Sequence, residues 1–387
     1  MNFDLTPEQD QLRDAVRELG RKYGHSYFVS KAKSGEHTTE LWHEAGRLGY
    51  LGVNIPTEYG GGGGGITDLT LVCEELAATG CPLLLLVVSP AIAATIIGKH
   101  GTEEQRKKHL PGLADGSEKI VFAITEPDAG SNFHRLSTVA RRDGDDWLLT
   151  GRKIYISGVD EAGHVLVVAR TEDASTGKLK PALFIVPTDA PGLEKSKLDM
   201  EILSPENQFL LFLDDVRLPA DALVGESLDA GLPALFAGLN PERITVAAMG
   251  VGTGRYAIDR ASDYTATRKV WGGNSIGSHQ GVAHPLAHAA VQVELARLMI
   301  YKAAALYDAG RDLEAGISGN MAKYAAGEAA ALAVDTAVQA LGGAGMTTEY
   351  GVSTLLGAVR AGRIAPVSRE MILNFVAQHV LGQDKSY

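Results

Sequence analysis

The chain has 387 residues, 45% of them hydrophobic and 21% charged, with a formal net charge of −11. That length exceeds one ordinary core and implies two or three domains. The balance excludes a disordered chain, and the acidic sign argues against nucleic acid or an anionic membrane as a main partner. Two cysteines, Cys73 and Cys81, exclude a disulfide framework and a zinc pattern, and no metal centre is expected. Their spacing places both on similar helix faces, as buried free thiols.

The opening MNFDLTPEQDQ has neither a basic leader nor an apolar core, so a cytoplasmic protein is expected. Residues 6 to about 118 read as helices. Thr6 can cap a helix that begins at Pro7, and Leu12, Val16 and Leu19 recur at helical spacing. Further helices are expected at 39–49, 67–79 and 83–99, with a capping-box start at Thr102–Gln105. The greasy run from Pro82 to Gly98 contains Pro90 and is short for a membrane span, so it reads as buried helix. Gly60 to Gly65 cannot hold a regular element. It reads as a substrate-entrance loop or, preferably, as a tolerated surface expansion.

From Val121 to about Val224 the pattern changes to short β-rich runs separated by polar turns, at 147–150, 153–157, 164–170, 182–186 and 208–213. The stretch Phe122–Asn132, FAITEPDAGSN, ends in a turn whose backbone amides can face an anion or a flat ring. Lys153–Gly158 offers a second strand that ends in a hydroxyl. Thr125 and Ser157 beside aromatic residues suit a flat, heteroatom-rich cofactor; an ordinary strand and turn fit the same residues.

From Gly231 onward helices return, at about 241–268, 279–309 and 316–341, joined by short links. These argue a four-helix bundle completed by 352–360 or 367–381. Asn240 as N-cap, Pro241 at the first position and Glu242 in the first turn form a strong helix start. Gly252–Ala257 matches a nucleotide fingerprint but has no strand before it, so it reads as close helix packing. Arg268-Lys269-Val270-Trp271-Gly272 followed by His279-Gln280 suits a pyrophosphate and a stacked ring, or a solvated helix end. Gln339–Gly345 carries more glycines than one helix C-cap needs.

ITEPDAGSN followed by GRKIYISG resembles the two flavin-binding signatures of the acyl-CoA dehydrogenase family, and the resemblance runs over nearly the whole chain. It implies an α+β multidomain fold: a helical domain (1–120), a central antiparallel β domain (121–228) and a C-terminal four-helix bundle (229–387). It implies FAD bound by Phe122, Ile124, Thr125, Gly130, Ser131, Tyr155, Ile156, Ser157, Ser368 and Glu370. From a neighbouring subunit it implies contacts from Arg268, Val270, Trp271, His279, Gln280, Gln339, Gly342 and Gly343, and hence a dimer-based homotetramer.

The family oxidises the Cα–Cβ bond of an acyl-CoA thioester with a glutamate as base. Many members carry that base before the last helix, where this chain has Pro366. A minority place it in a Glu-Arg-Leu segment, which Glu242-Arg243-Ile244 resembles, so Glu242 is the expected base and Glu370 is not. Ser131, Arg243 and Asn240 are the implied substrate-binding residues, and an electron-transfer flavoprotein is the implied partner. Proline has no N–H for the thioester carbonyl. A shifted donor at Val367, a one-residue shift in the alignment and a different reaction are the three explanations. An oxygen-using flavin oxidase or monooxygenase, or a non-catalytic flavin-binding subunit, are the rival classes.

Overall fold

A computed structural model describes residues 4–173, 177–225 and 227–385. Its N-terminal part holds α1 (Pro7–Ser34), α2 (Thr39–Arg47), α3 (Ile66–Ala78), α4 (Thr95–His100) and α5 (Glu103–Asp115). Thr6 and Thr102 open α1 and α5 with reciprocal capping boxes to Gln9 and Gln105, as their spacing foretold. A π-helical segment, Val87–Ala94, leads into α4 and carries Pro90, which has no N–H to give. Cys73 lies in α3, but α3 stops at Ala78, so Cys81 is not on the same helix. Both thiols are free and buried, and burial pushes each up to about 12.

The six glycines lie largely at the surface, as expected, but in a loop that is hydrogen-bonded and closely packed. The N–H groups of Gly61, Gly62, Gly63 and Gly64 donate to the carbonyls of Pro56, Gly52, Ile55 and Val53. A Cβ at Gly61 would lie 2.1 Å from the Ile55 carbonyl oxygen, and one at Gly65 would lie 2.4 Å from Asp308 Oδ2. Gly65 has no side chain to cap α3, and Asp308 does so from across the molecule. Its carboxylate accepts from the N–H of Ile66 (2.7 Å), the N–H of Thr67 (2.9 Å) and the Thr67 hydroxyl (2.6 Å).

The central part is one seven-stranded sheet of β1 (Ile120–Ala123), β2 (Val139–Asp143), β3 (Asp146–Ser157), β4 (His164–Glu172), β5 (Leu179–Pro187), β6 (Leu193–Leu198) and β7 (Gln208–Leu218). Its order is β1-β4-β2-β3-β7-β6, with β5 on the other edge of β4. Pairing is mainly antiparallel, and β1 and β2 meet one edge of β4 in parallel. The runs at 147–150 and 153–157 are a single strand, β3. β2 and β6 escaped the sequence reading: β6, LEKSKL, is largely exposed and carries no apolar alternation.

The C-terminal part holds α6 (Gly231–Thr267), α7 (Gln280–Asp308), α8 (Asp312–Leu341), α9 (Leu356–Ala361) and α10 (Arg369–His379). The helix expected to start at Pro241 begins ten residues earlier, at Gly231, so Asn240 is not an N-cap and Glu242 is not in a first turn. Pro241 is tolerated inside the helix because its partner is found elsewhere. The carbonyl four residues back, Ala237, accepts instead from the Tyr307 hydroxyl at 2.9 Å. Gly252 and Gly254 let α6 approach its neighbours: a Cβ at Gly252 would sit 2.2 Å from the Glu74 carbonyl oxygen of α3. Between those helices Glu74 and Glu75 are buried against Arg17, Arg255, Arg297 and Tyr301. Of the segments expected to complete the bundle, α9 and α10 both pack on α8. The stretch Asp312–Met346 is long and apolar enough to cross a membrane by length and composition. Here α8 packs against both α6 and α7 and buries a lysine.

Candidate active site

The two motifs of the β domain meet directly. The N–H of Ile154 donates to the Thr125 carbonyl at 2.9 Å, and Lys153 Nζ reaches the Ile124 carbonyl at 3.0 Å. Lys153 also pairs with Glu126 at 2.8 Å, both side chains being buried. Glu126 in turn accepts from the N–H groups of Ser137 (2.6 Å) and Thr138 (3.0 Å), which fixes the far side of the turn. Burial opposes the Glu126 charge, but Lys153 and these hydrogen bonds outweigh it and hold the carboxyl at about 2. Burial pulls Lys153 down to about 8, so the pair is ionised at neutral pH.

Around this pin the cofactor candidates divide. Phe122 and Ile156 are buried in the core, opposite Leu166 and Phe209 in the sheet. Ile124 and Thr125 are half-buried, while Gly130 and Ser131 are exposed. Tyr155 takes a left-handed backbone (φ 60°) at an irregularity between Lys153 and Ile156, which turns its ring out to 59% exposure. Ser157 shares hydrogen bonds with the Gln208 side chain. Among the described residues, the hydroxyls of Thr125 and Ser131 and the N–H groups of Gly130 and Ser131 have no partner in the chain. Unused donors beside an exposed aromatic fit the heteroatom edge of a flavin, so the residues present suit FAD.

The early part of α6 packs on the same region. Phe236 meets Phe133 edge-on at 6.3 Å, and Leu239 packs against the core that also receives Ile124. Glu242, one turn on, is partly buried, and no hydrogen bond or ion pair among the described residues engages its carboxylate. Burial raises it to about 7, against the opposing charges of Arg243 and Lys323. Glu242 lies well inside α6, so the helix N-terminus expected to lower its pKa is not there to act. Arg243 does not merely point to solvent. It folds back on its own helix, donating to the Leu239 carbonyl (3.2 Å) and Asn240 Oδ1 (3.1 Å), and its Nε is buried without a partner. Asn240 also donates to the Asp312 carbonyl, which ties it to the start of α8.

Lys323, on α8, went unread in the sequence although it stands alone in an Ala/Gly-rich helix. It is buried, and burial pulls its ammonium down to about 8, with Glu242 the foremost opposing influence. It donates to the Val367 carbonyl. Glu328, also on α8, grips both Arg363 and Arg369, so the segment carrying Pro366, Val367 and Ser368 is stapled to the bundle. Ser368 caps α10 through the N–H of Met371. Glu370 is exposed and pairs with Arg369.

The remaining candidates gather elsewhere. Arg268, Val270, Trp271, His279 and Gln280 lie at the α6–α7 turn, and Gln339, Gly342 and Gly343 at the end of α8. These ends adjoin, since Tyr264 meets Tyr350 at 5.4 Å. All are exposed, Trp271 to 94%. From Glu242 to the end of α6 is about 38 Å at 1.5 Å per residue. The two groups of candidate residues therefore lie at opposite ends of the bundle.

Three family models match the chain in order: "Acyl-CoA dehydrogenase, N-terminal domain" over residues 6–117, "middle domain" over 121–203 and "C-terminal domain" over 229–381. Acyl-CoA dehydrogenase FadE12 of Mycobacterium tuberculosis is 60% identical over 386 residues, covering 100% of this chain and 99% of that protein. The solved glutaryl-coenzyme A dehydrogenase–glutaryl-CoA complex superposes with a TM-score of 0.93 at 32% identity, covering 100% and 98% of the two chains. A glutaryl-CoA dehydrogenase from Mycobacterium smegmatis, solved with FADH2, gives a TM-score of 0.89 at 27% identity over 99% and 97%.

Proposed function

This chain belongs to the acyl-CoA dehydrogenase family of FAD-binding oxidoreductases, and we propose that it oxidises an acyl-CoA to the 2-enoyl-CoA with Glu242 as the base. The observation that carries this reading is the unengaged, half-buried carboxylate of Glu242 with its pKa raised to about 7. A base of that pKa is about half ionised at neutral pH and is stronger than an ordinary carboxylate for taking a proton from carbon beside a thioester. Position 366, before the last helix, holds a proline and cannot serve.

In this reading Glu242 takes the α proton at a carboxylate oxygen, and the Cα–Cβ double bond forms as the second hydrogen departs from Cβ with its electron pair. FAD, when bound, supplies the acceptor for that pair. Arg243, oriented by Asn240, attracts the anionic CoA end, and Ser131 lies at the turn where that end would pass. The strand ends pinned by Lys153 and Glu126 hold one face of the flavin. The exposed cluster around Arg268 and Gln339 completes the site of another copy, which makes the working unit a dimer or a dimer of dimers. Electrons then leave to an electron-transfer flavoprotein. The experiment is anaerobic titration of the yellow protein with a panel of acyl-CoAs, following loss of oxidised-flavin absorbance. No bleaching with any of them would refute the reading.

A further inference from the structure

A second cluster of chemistry-bearing side chains lies outside the flavin site, at the seam between the N-terminal helices and the sheet. His109 comes from α5, Glu118 from the link to β1 and His164 from the first residue of β4. His109 Nδ1 is 2.9 Å from Glu118 Oε1, and His164 Nδ1 is 2.8 Å from the same oxygen. The ligand atoms of all three lie within 4.8 Å of one another. The two imidazoles stand nearly perpendicular, at 81° with centroids 5.0 Å apart.

Two nitrogens facing one carboxylate oxygen need a positive centre between each pair, since lone pair against lone pair is repulsive. His109 meets that need with an aligned Nδ1–H hydrogen bond. His164 reaches the same oxygen at 2.8 Å but off the hydrogen-bond line, so its buried Nδ1 helps hold the Glu118 charge without a well-formed bond. We propose that His109, Glu118 and His164 form a binding site for a divalent transition-metal ion of the zinc class.

Two imidazoles and one carboxylate are a donor set for zinc, cobalt, nickel or iron rather than calcium or magnesium. Tetrahedral bonds of 2.0–2.1 Å put ligand atoms about 3.3 Å apart, so each nitrogen–oxygen pair opens by about half an ångström while the two imidazole nitrogens, in a set that spans 4.8 Å, draw together through side-chain rotation. The backbone is already fixed: the Glu118 N–H donates to the Gly112 carbonyl at 2.9 Å, and the Gly163 N–H to the Lys119 carbonyl at 3.1 Å. The cluster lines a cleft of about 510 Å³, which gives the ion entry and leaves room for water or His43 as a further ligand. Lys119 lines the same cleft, but its ammonium is held by Glu161 and leaves the Glu118 charge available. No residue of the flavin motifs lines this cleft. The bound ion would cross-link α5, the connecting segment and β4, and so clamp the helical part to the sheet.

The test uses full-length, FAD-loaded protein stripped of metal with a chelator. The exposed His284 and His288, one turn apart on α7, can bind metal adventitiously. Zn2+ titration calorimetry and Co2+ d–d spectra are therefore recorded in a His284→Ala, His288→Ala background. The expected result is one ion per chain and a Tm that rises with Zn2+. His164→Ala and the near-isosteric Glu118→Gln should each weaken binding by at least ~10–100-fold and abolish the Tm rise, while flavin content and acyl-CoA reduction stay unchanged. Equal affinity in either variant with normal flavin content, or no uptake by the parent, would overturn the site.

Discussion

The buried ammonium of Lys323 donates to the backbone carbonyl of Val367, the residue after Pro366, while the same lysine lies in the field of Glu242. One side chain thus joins the helix that carries the proposed base to the segment where the family more often places it. The N–H of Val367 has no partner among the described residues, so a donor next to Pro366 remains free for a ligand oxygen.

Glu242→Gln keeps shape and removes the proton acceptor. It should retain FAD and bind acyl-CoA, yet slow flavin reduction by at least ~100-fold in anaerobic stopped flow. Glu370→Gln should stay within about tenfold of the parent. The reverse ranking would move the base to Glu370.

A carboxyl raised to about 7 has a pH signature. In the free enzyme, kcat/KM should climb as pH rises through about 7, because only the ionised form accepts a proton. Stability runs the other way. The folded pKa lies above the ordinary carboxyl value of 4.5, so the contribution of Glu242 is full below that value and is lost as pH rises through about 7. The total is at most about 3 kcal/mol. Denaturant melts should therefore show Glu242→Gln gaining on the parent between those two pH values; parallel curves would contradict the raised pKa.

Lys323 lowers the pKa of Glu242, and Glu242 supports the charge of Lys323. Lys323→Met should shift the midpoint of the kcat/KM profile to higher pH, a change that mere loosening of the 363–369 segment would not produce. A lower rate with an unmoved midpoint would leave Lys323 with only its tether to Val367.

Lys153→Met strands a buried carboxylate and should cost about 3–5 kcal/mol, the range for breaking a buried ion pair. Because Glu126 also fixes the turn at Ser137 and Thr138, FAD content should fall with it. The folded pKa of Glu126 is about 2, so its contribution is complete above 4.5 and fades as pH falls toward about 2. Full flavin content in purified Lys153→Met protein would deny the pair its role in shaping the site.

Trp42 and Trp147 are buried, whereas Trp271 is exposed in the single chain. If its half-site closes over the flavin of another copy, loading with FAD should shield Trp271 from acrylamide quenching, and Trp271→Phe should remove that change. Arg268→Ala should release FAD and weaken the assembly together, as read by light scattering.

The residues show why some of this was legible and some was not. The two motifs of the β domain announce themselves through a turn and two hydroxyls, Thr125 and Ser157, 32 positions apart, and the fold brings the motifs together at Ile154 and Thr125. Glu242 is proposed from a local signature, Glu-Arg-Ile, whose preceding Asn-Pro also spells a helix start; the helix continues through it because the Tyr307 hydroxyl, 70 positions along the chain, donates to the orphaned Ala237 carbonyl. Lys323 was silent for a related reason: a single lysine in an alanine-rich helix gives no pattern, and its meaning lies in Val367 and Glu242, which only the fold brings near.

The glycine run from 60 to 65 has a practical consequence for engineering the protein. A flexible-looking stretch of this composition invites an epitope tag, a fluorophore or a circular-permutation cut. Here the backbone is threaded against Ile55 and beneath the Asp308 carboxylate, which also closes the start of α3. A probe placed there would unseat the junction between the first residues of α3 and the last of α7. The turn at 143–146 is the safer port for an insertion, because Asp143, Gly144 and Asp145 are exposed, provided Gly144 keeps its left-handed backbone (φ 63°) and Arg217 keeps its pairs with Asp143 and Asp146.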